Sequence, residues 1–364
     1  MVKSQGTGNN WHSDVGGDIM EVLIDPVVSN NHYVMGIGGA MAASSTGGAS
    51  WYPIPAQASP LPVWTGNWVT PFAMNPQNTR SFIAGFAEVW KSYDGCMNWV
   101  QISSNLNNGN NLSGIAFAPS DSNVIYAIDY NRFYATYNSG QNWQNYSSVL
   151  PSGVPVHRVF VHPQQPLEVW IVCGGYQSGS KVFKSVNGGV SWTNLSAGLP
   201  NIQYNCGVLT GDAENTVFLG SAAGMYMMND SPGGWIKLQN GFPDANVSDL
   251  EYLPAYRTVF CSTYGRGMWK FELPPVTTGI AVPDAVAPFT VFPSPASDFV
   301  QVHFSNALSQ PARLLVFDAY GKLIQTQLLN QSHHIDTSLW PSGLYFFQCE
   351  SAGLIYTSRV AVSH

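Results

Sequence analysis

Apolar residues fall in short stretches along the chain, separated by turns that carry Gly, Pro, Asn and Ser. The third group of stretches is the clearest, because β-branched and aromatic residues predict strands at 112–119, 124–129, 132–137 and 143–147. The next group repeats this order at 156–163, 168–173, 181–185 and 192–195. Each group therefore predicts one antiparallel sheet of four short strands.

The groups are marked by six tryptophans: Trp11, Trp51, Trp99, Trp143, Trp192 and Trp235. Successive tryptophans are 40, 48, 44, 49 and 43 residues apart. A repeat of about 40 to 50 residues is typical of one four-stranded propeller blade. The sequence therefore predicts an all-β fold whose main part is a β-propeller of about six four-stranded blades.

A turn motif precedes each tryptophan, and its clearest copy is Ser185, Asn187, Gly189 and Trp192. The Asn oxygen can accept hydrogen bonds from backbone N–H groups, and Gly permits the positive φ of a tight turn. The Trp ring is then expected to be buried between sheets. The other copies are Ser44, Thr46, Gly48 and Trp51; Ser92, Asp94 and Trp99; Thr136, Asn138, Gly140 and Trp143; and two degenerate ones, Ser4, Gly8 and Trp11, and Asp230 and Trp235.

This motif resembles the Asp-box, or BNR, repeat, which reads Ser-x-Asp-x-Gly-x-Thr-Trp. Boxes of that family usually lie between the third and fourth strands of a blade, away from the active face. The resemblance implies that all six copies are structural.

The two ends of the repeat region are complementary. The last group predicts strands at 247–254, 258–263 and 267–273 but has no box and no fourth strand, whereas Lys3 and Ser4 match the end of a third strand. Two accounts fit. Either the N-terminal strand completes the last blade and closes a six-bladed ring, or the chain is the C-terminal part of a longer, larger propeller protein. We favour the second account, because no signal peptide precedes Lys3.

Composition changes after the last propeller strand. Residues 273–288 contain four prolines and predict a linker between a propeller domain at 1–272 and a second domain at 289–364. The second domain reads as about seven short strands, with turns at Gly321 and at Pro341–Gly343. This pattern predicts a small Ig-like β-sandwich.

The second domain strongly resembles the type A C-terminal sorting domain of the type IX secretion system of Bacteroidota. The matching positions are Pro293 and Pro295 in the first block, Asp318 and Gly321 in the second, and Gly343 and Tyr345 in the third. Ser294 stands where Asn is usual, and the chain ends in Ser-His where a basic residue is frequent. The resemblance implies transit through the periplasm, the type IX secretion machinery as a partner, and a final place outside the cell or on its outer surface.

Composition excludes several classes of function. Charged residues make up 10% of the chain and the net charge is −7, which argues against nucleic-acid binding. No apolar run is long enough to span a membrane. The five cysteines show no metal-site spacing, and an oxidising compartment would allow a pair such as Cys173 with Cys206. We expect no cofactor and no metal.

Three hypotheses remain for the activity of the propeller. The first is a glycoside hydrolase, because residues 263–270 resemble a sequence motif of xyloglucanase-like and sortilin-like propellers. Such an enzyme would need two carboxylates that face each other. The best placed candidates are Asp14 and Asp18, with Glu21 and Asp249 behind them. The favoured reading is a propeller that binds glycan or protein through Trp and Tyr on its loops. A sialidase is disfavoured, because no arginine cluster is present to hold a carboxylate.

Overall fold

The computed structural model of the chain describes residues 2–4, 11–13, 16–54, 61–62, 64–151, 153–212, 215–229, 234–238, 242–273, 289–304, 311–319, 321–351 and 354–364. Its elements are strands, apart from 3-10 turns at Ile37–Gly39, Ser147–Val149 and Pro254–Tyr256. The all-β prediction is confirmed. Two compact units divide the chain, Met1–Pro274 and Pro275–His364. The predicted linker falls almost entirely on 274–288, which lie outside the described residues.

The first unit begins with β1 (Val2–Ser4) and β2 (Trp11–Ser13), which form a two-stranded antiparallel sheet. Five four-stranded antiparallel sheets follow, each with its strands in chain order. They are sheet 1 with β3 (Ile19–Ile24), β4 (His32–Gly36), β5 (Met41–Ser44) and β6 (Tyr52–Pro53); sheet 2 with β7 (Phe72–Asn75), β8 (Asn78–Gly85), β9 (Val89–Ser92) and β10 (Val100–Gln101); sheet 3 with β11 (Gly114–Ala118), β12 (Asp121–Asp129), β13 (Arg132–Thr136) and β14 (Gln144–Asn145); sheet 4 with β15 (Val156–Val161), β16 (Val169–Cys173), β17 (Val182–Ser185) and β18 (Thr193–Asn194); and sheet 5 with β19 (Tyr204–Leu209), β20 (Val217–Ser221), β21 (Gly224–Met228) and β22 (Ile236–Lys237). Sheet 6 has three described strands, β23 (Asn246–Leu253), β24 (Thr258–Tyr264) and β25 (Gly267–Glu272).

The six sheets are arranged as propeller blades. The first strand of each sheet contacts the first strand of the next, from β3 through β7, β11, β15 and β19 to β23. Arg158 on β15 also reaches Glu21 on β3 and Asp249 on β23, so these strands surround a common axis. Because neighbouring strands are antiparallel, the turns between second and third strands lie at the same end as the connections between sheets. We call this end the upper face, and the opposite end, which carries the turns between third and fourth strands, the lower face.

The four boxes that the structure describes in full, those ending in Trp51, Trp99, Trp143 and Trp192, lie on the lower face and form hydrogen bonds within their own turns. Ser185 Oγ accepts the N–H of Gly189 at 2.8 Å, and Asn187 Oδ1 accepts the N–H of Ser191 at 3.0 Å. Gly189 has a φ of 98°, and a Cβ there would lie 2.4 Å from the ring of Phe133. Glycine is therefore required at this position, because the backbone φ is positive and a Cβ would clash with the ring. Matching bonds hold the turns built on Ser44, Ser92 and Thr136.

Three box tryptophans contact the preceding sheet, whereas the indole N–H groups of Trp51 and Trp99 donate to carbonyls of their own boxes. The indole N–H of Trp143 donates to the carbonyl of Ile102 at 2.8 Å, and that of Trp235 donates to Leu195 at 2.6 Å. Trp192 meets Phe133 of sheet 3 edge-on, with ring centroids 5.1 Å apart. The sequence predicts that these rings are buried between sheets. Burial is nearly complete for Trp99, whereas Trp143, Trp192 and Trp235 are half-buried. The partner position Asp230 lies outside the described residues.

Two arrangements that the sequence left open for the first unit are not seen among the described residues. Trp11 of β2 pairs with Ser4 of β1, and none of the described strand pairings joins β2 to β25. Among the described residues, β1 and β2 thus form a sheet of their own. The considered bond between Cys173 and Cys206 is not formed either, because all five cysteines are free thiols buried in apolar surroundings.

The second unit is a sandwich of two antiparallel sheets. One sheet has the order β26 (Phe289–Phe292), β27 (Phe299–Phe304), β30 (His333–Asp336), and the other has the order β29 (Leu323–Leu329), β28 (Ala312–Asp318), β31 (Gly343–Ser351), β32 (Leu354–Val362). One core joins both sheets, with Val300 and Val302 from the first and Val316, Phe347 and Val360 from the second. This arrangement matches the seven strands that the sequence predicts.

The predicted motif positions of the second unit lie at its turns. Asp318 Oδ1 accepts the N–H of Lys322 at 3.0 Å, and Gly321 between them has a φ of 76°. Tyr345 is buried next to Gly343, and its hydroxyl donates to the carbonyl of Pro341 at 2.8 Å. Pro293 and Pro295 follow β26 directly. These residues therefore shape the sandwich.

Candidate functional site

The predicted acidic pair is only half described. Asp14 lies outside the described residues. Asp18 is exposed on the upper face and lines a hollow of about 280 Å³ together with Trp64 and mostly small or apolar neighbours. The assignment of Asp14 and Asp18 as a catalytic pair stays a prediction.

Four of the six first strands carry an extra residue at the same place. The register against the second strand shifts between Ile19 and Glu21 in β3, between Val156 and Arg158 in β15, between Tyr204 and Cys206 in β19, and between Val247 and Asp249 in β23. Such β-bulges re-aim the residue that follows them. Glu21, Arg158, Cys206 and Asp249 thus hold equivalent positions around the axis.

Three of these residues form a charged group, which we call the axial cluster: Glu21, Arg158 and Asp249. Arg158 NH1 lies 3.9 Å from Glu21 Oε1, and NH2 lies 4.0 Å from Asp249 Oδ1. Burial raises the pKa of Glu21 to about 7, opposed by Arg158 and assisted by Asp249. The pKa of Asp249 is also raised, against the effect of Arg158, although 61% of its side chain is exposed. One guanidinium therefore sits between two carboxyl groups that resist ionisation.

Glu21 should make the stability of the propeller depend on pH. Its folded pKa of about 7 exceeds the ordinary 4.5, so the folded chain binds this proton more tightly than the unfolded chain does. The free energy of unfolding then falls as the pH rises from about 4.5 to 7, by roughly 3 kcal/mol. Glu21→Gln is expected to remove this fall and to exceed the parent in stability at pH 8, as measured by urea unfolding at pH 4.5 and pH 8.

Glu272→Gln serves as the control, because Glu272 is exposed on β25, outside the axial cluster. It should keep the parent's fall in stability between these two pH values. An unchanged fall in the Glu21→Gln variant would contradict the burial argument for Glu21.

The upper face carries a cleft of about 670 Å³. Two exposed aromatic side chains line it, Trp68 from the connection between sheets 1 and 2 and Tyr130 from the β12–β13 turn. Its polar lining is Asn67, Asn110, Asn111, Ser113, Asp129, His157 and Arg158. The cleft has the size of a small-molecule site and combines aromatic surface with amide groups.

Hydrogen bonds between loops hold the cleft open. Asn67 Nδ2 donates to the carbonyl of Leu112 at 2.8 Å, and Asn111 Nδ2 donates to the carbonyl of Thr65 at 2.7 Å. These two amides tie the connection before sheet 2 to the connection before sheet 3. The loops that carry Trp68 and the asparagines are therefore fixed to each other.

A buried amide fixes the turn that carries Tyr130. Asn107 is fully buried; its Oδ1 accepts from Arg132 at 2.7 Å, and its Nδ2 donates to Asp129 Oδ2 at 3.2 Å. Asp129 Oδ1 in turn accepts the N–H of Tyr130 at 2.8 Å. A satisfied polar network of this kind gives the turn one conformation. The site is therefore shaped before any ligand arrives.

Arg158 links the cleft to the axial cluster, since it belongs to both. Its neighbour His157 also lines the cleft, and burial together with Arg158 lowers the pKa of this imidazole. His157 is therefore neutral at neutral pH. Among the described residues, no group of His, Cys, Asp or Glu could hold a metal ion.

Sequence reasoning placed aromatic residues on loops but did not single out Trp68 or Tyr130. A usable signal existed for Trp68, because it lies outside the six boxes in a loop rich in Gly, Asn and Pro. Trp90 and Trp170 also lie outside the boxes, but both are buried in strands. A tryptophan that neither the box nor a strand explains is a candidate for binding.

The family comparisons divide the chain in two. Residues 290–363 match the family described as "Secretion system C-terminal sorting domain", and residues 87–246 match the family described as "Sortilin, neurotensin receptor 3". No curated protein matches the chain significantly. No helix among the described residues is long and apolar enough to cross a membrane.

Solved structures show the same fold at low identity. The GH74 xyloglucanase from Xanthomonas campestris superposes with a TM-score of 0.55 and 13% identity over 95% of this chain and 52% of that enzyme. The Niastella koreensis GH74 enzyme gives 0.53 and 13% over 95% and 66%. The RRP9 WD40 repeats give 0.51 and 10% over 88% and 80%. The chain thus spans about half of the first enzyme and two thirds of the second.

The chain is therefore a BNR-type β-propeller protein with a C-terminal sorting domain of the type IX secretion system. That domain directs it to the cell surface or the extracellular space.

Proposed function

We propose that the propeller binds a neutral glycan in the upper-face cleft, outside the cell or on its surface. The observation that carries the proposal is the exposure of Trp68 and Tyr130 in one cleft whose loops are already fixed, with 64% and 56% of these residues accessible. The C–H faces of sugar rings pack on aromatic rings, which offer large rigid contact area at low entropic cost.

Amide groups supply the polar part of such a site. Asn67 and Asn111 use their Nδ2 atoms to tie the loops, and their Oδ1 atoms accept no hydrogen bond from a described residue. These acceptors suit the hydroxyl donors of a sugar. Aromatic faces combined with fixed amide acceptors favour a carbohydrate over an apolar ligand.

The charges of the cleft favour a neutral ligand. The guanidinium of Arg158 already faces two carboxyl groups, and His157 is neutral. Asp129 adds a carboxyl group to the lining. An acidic sugar would therefore meet no unpaired cation among the lining residues and would be repelled by Asp129. Since two structurally similar proteins are a xyloglucanase and a related GH74 enzyme, xyloglucan is the first neutral polysaccharide to try.

Affinity electrophoresis in gels that contain neutral polysaccharides tests the proposal. The full chain should be retarded, and Trp68→Ala should weaken binding by about 30-fold, because a central aromatic anchor contributes ~2 kcal/mol. Tyr264→Ala is the matched control: this tyrosine is exposed beside the corresponding turn of sheet 6 and lies outside the cleft. Equal retardation of parent and Trp68→Ala would refute the assignment of the cleft.

The alternative function is a polysaccharide-active glycoside hydrolase of xyloglucanase-like type. The axial cluster supports it, because a carboxyl group with a pKa of about 7, as in Glu21, can donate a proton near neutral pH. Under this hypothesis, Asp14 and Asp18 remain the predicted acid and base. We expect no release of reducing ends from any neutral polysaccharide. If the parent protein released reducing ends and Asp18→Asn or Glu21→Gln did not, the function would instead be hydrolysis.

A further inference from the structure

The four-stranded sheet of the sorting domain has one face in the core and one face outside. Tyr345 and Phe347 of β31 point into the core, so Leu344 and Phe346 point outward, and both are exposed. Cross-strand pairing assigns the neighbours of Phe346 to the same face. The strand pairings therefore identify the residues that lie on the outer face.

One row of the outer face crosses all four strands. Phe317 of β28 pairs with Leu323 of β29 and with Phe346 of β31, and Phe346 pairs with Arg359 of β32. We call Leu323, Phe317, Phe346 and Arg359 the outer row. Leu323 and Phe346 are 45% and 42% exposed, so three adjacent apolar side chains end in an arginine.

The other rows of the same face differ from the outer row in their side chains. The next row has Thr326, Leu315, Gln348 and Thr357, in which the one apolar side chain, Leu315, is buried. Beyond it, Arg313 pairs with Glu350 at 3.7 Å. Arg359, by contrast, makes no ion pair or hydrogen bond with a described residue. The outer row thus combines three adjacent apolar side chains with an unpaired cation, whereas the exposed Leu328 of β29 lies beside Arg313, outside the row.

We propose that the outer row is the surface by which a protein of the secretion machinery holds this domain. The domain belongs to a family that export machinery recognises, and exposed apolar rows on soluble domains mark interaction sites. The chemistry of the partner follows from the row: an apolar strip that covers Leu323, Phe317 and Phe346, with a carboxylate opposite Arg359. This inference rests on the sorting assignment and is independent of the glycan proposal.

Export of the full-length gene product from its native host tests the surface. Phe346→Glu and Arg359→Glu should each lower the exported fraction by about tenfold or more, because each places a negative charge against the partner. Phe346→Leu keeps an apolar contact and should be exported like the parent. Leu328→Glu is the matched control, since Leu328 is exposed on the same sheet, next to Arg313 and away from the outer row.

Thermal unfolding of the purified variants separates recognition from folding. Arg359→Glu removes no core contact, so its Tm should stay within about 2 °C of the parent. Normal export of folded Arg359→Glu and folded Phe346→Glu would overturn the proposal, as would an equal defect in Leu328→Glu. Retention on phosphatidylethanolamine–phosphatidylglycerol vesicles that Phe346→Glu abolishes would assign the row to lipid instead, and would also overturn it.

Discussion

Deletion of residues 289–364 from the full-length gene is expected to leave the propeller folded but trapped in the periplasm. The core of the sorting domain is formed by residues from Phe289 to Val362 alone, and no buried residue of the propeller clusters belongs to it. Loss of the domain therefore removes the export signal and leaves the residues of the propeller clusters in place. Fractionation of the native host into periplasm, surface and medium should show a near-complete loss of export.

The control for this deletion is the Leu328→Glu variant, which should reach the surface in parental amounts. Circular dichroism of the trapped fragment should show an intact β spectrum. Efficient export of the truncated chain would contradict the role of the sorting domain.

Trp99→Ala is the point substitution expected to destabilise the propeller most. Trp99 is 3% exposed and packs against the core between sheets 1 and 2. Removing a buried tryptophan costs about 3–5 kcal/mol of unfolding free energy. For a domain of this size the Tm should fall by roughly 10 °C. Differential scanning calorimetry of the full chain measures the change.

Tyr93 of the same box provides the control, because its side chain is exposed. Tyr93→Ala should change the unfolding free energy by no more than about 0.5 kcal/mol. Glycan affinity of Trp99→Ala, measured well below its Tm, should equal that of the parent. A folded Trp99→Ala that has lost affinity would show that the box belongs to a binding site.

The blade architecture could be predicted because each blade repeats the same local rules. The strand predicted at 112–119 is observed as Gly114–Ala118, and that at 132–137 as Arg132–Thr136. The outer strand predicted at 143–147 is shorter, Gln144–Asn145. The strand ends there because the backbone beyond Asn145 enters a 3-10 turn.

The candidate site was harder to predict, because its residues meet only when the sheets surround the axis. Glu21 and Arg158 come from the first and fourth sheets, and nothing local in the sequence pairs them. The sequence favoured Asp14 and Asp18 for their Gly-rich surroundings. Among the described residues, Glu21 and Asp249, each re-aimed by a bulge, contact Arg158. Trp68 and Tyr130 likewise lie on separate loops that only tertiary contacts bring together.

The central claim is that the upper-face cleft is the glycan site. Isothermal titration of the full chain with the oligosaccharide of the best-retained polysaccharide tests it most directly, with parent and Trp68→Ala/Tyr130→Ala measured side by side. The account predicts saturable binding by the parent and none by the double variant, which should unfold at the parental temperature. Unchanged affinity in the folded double variant would contradict it.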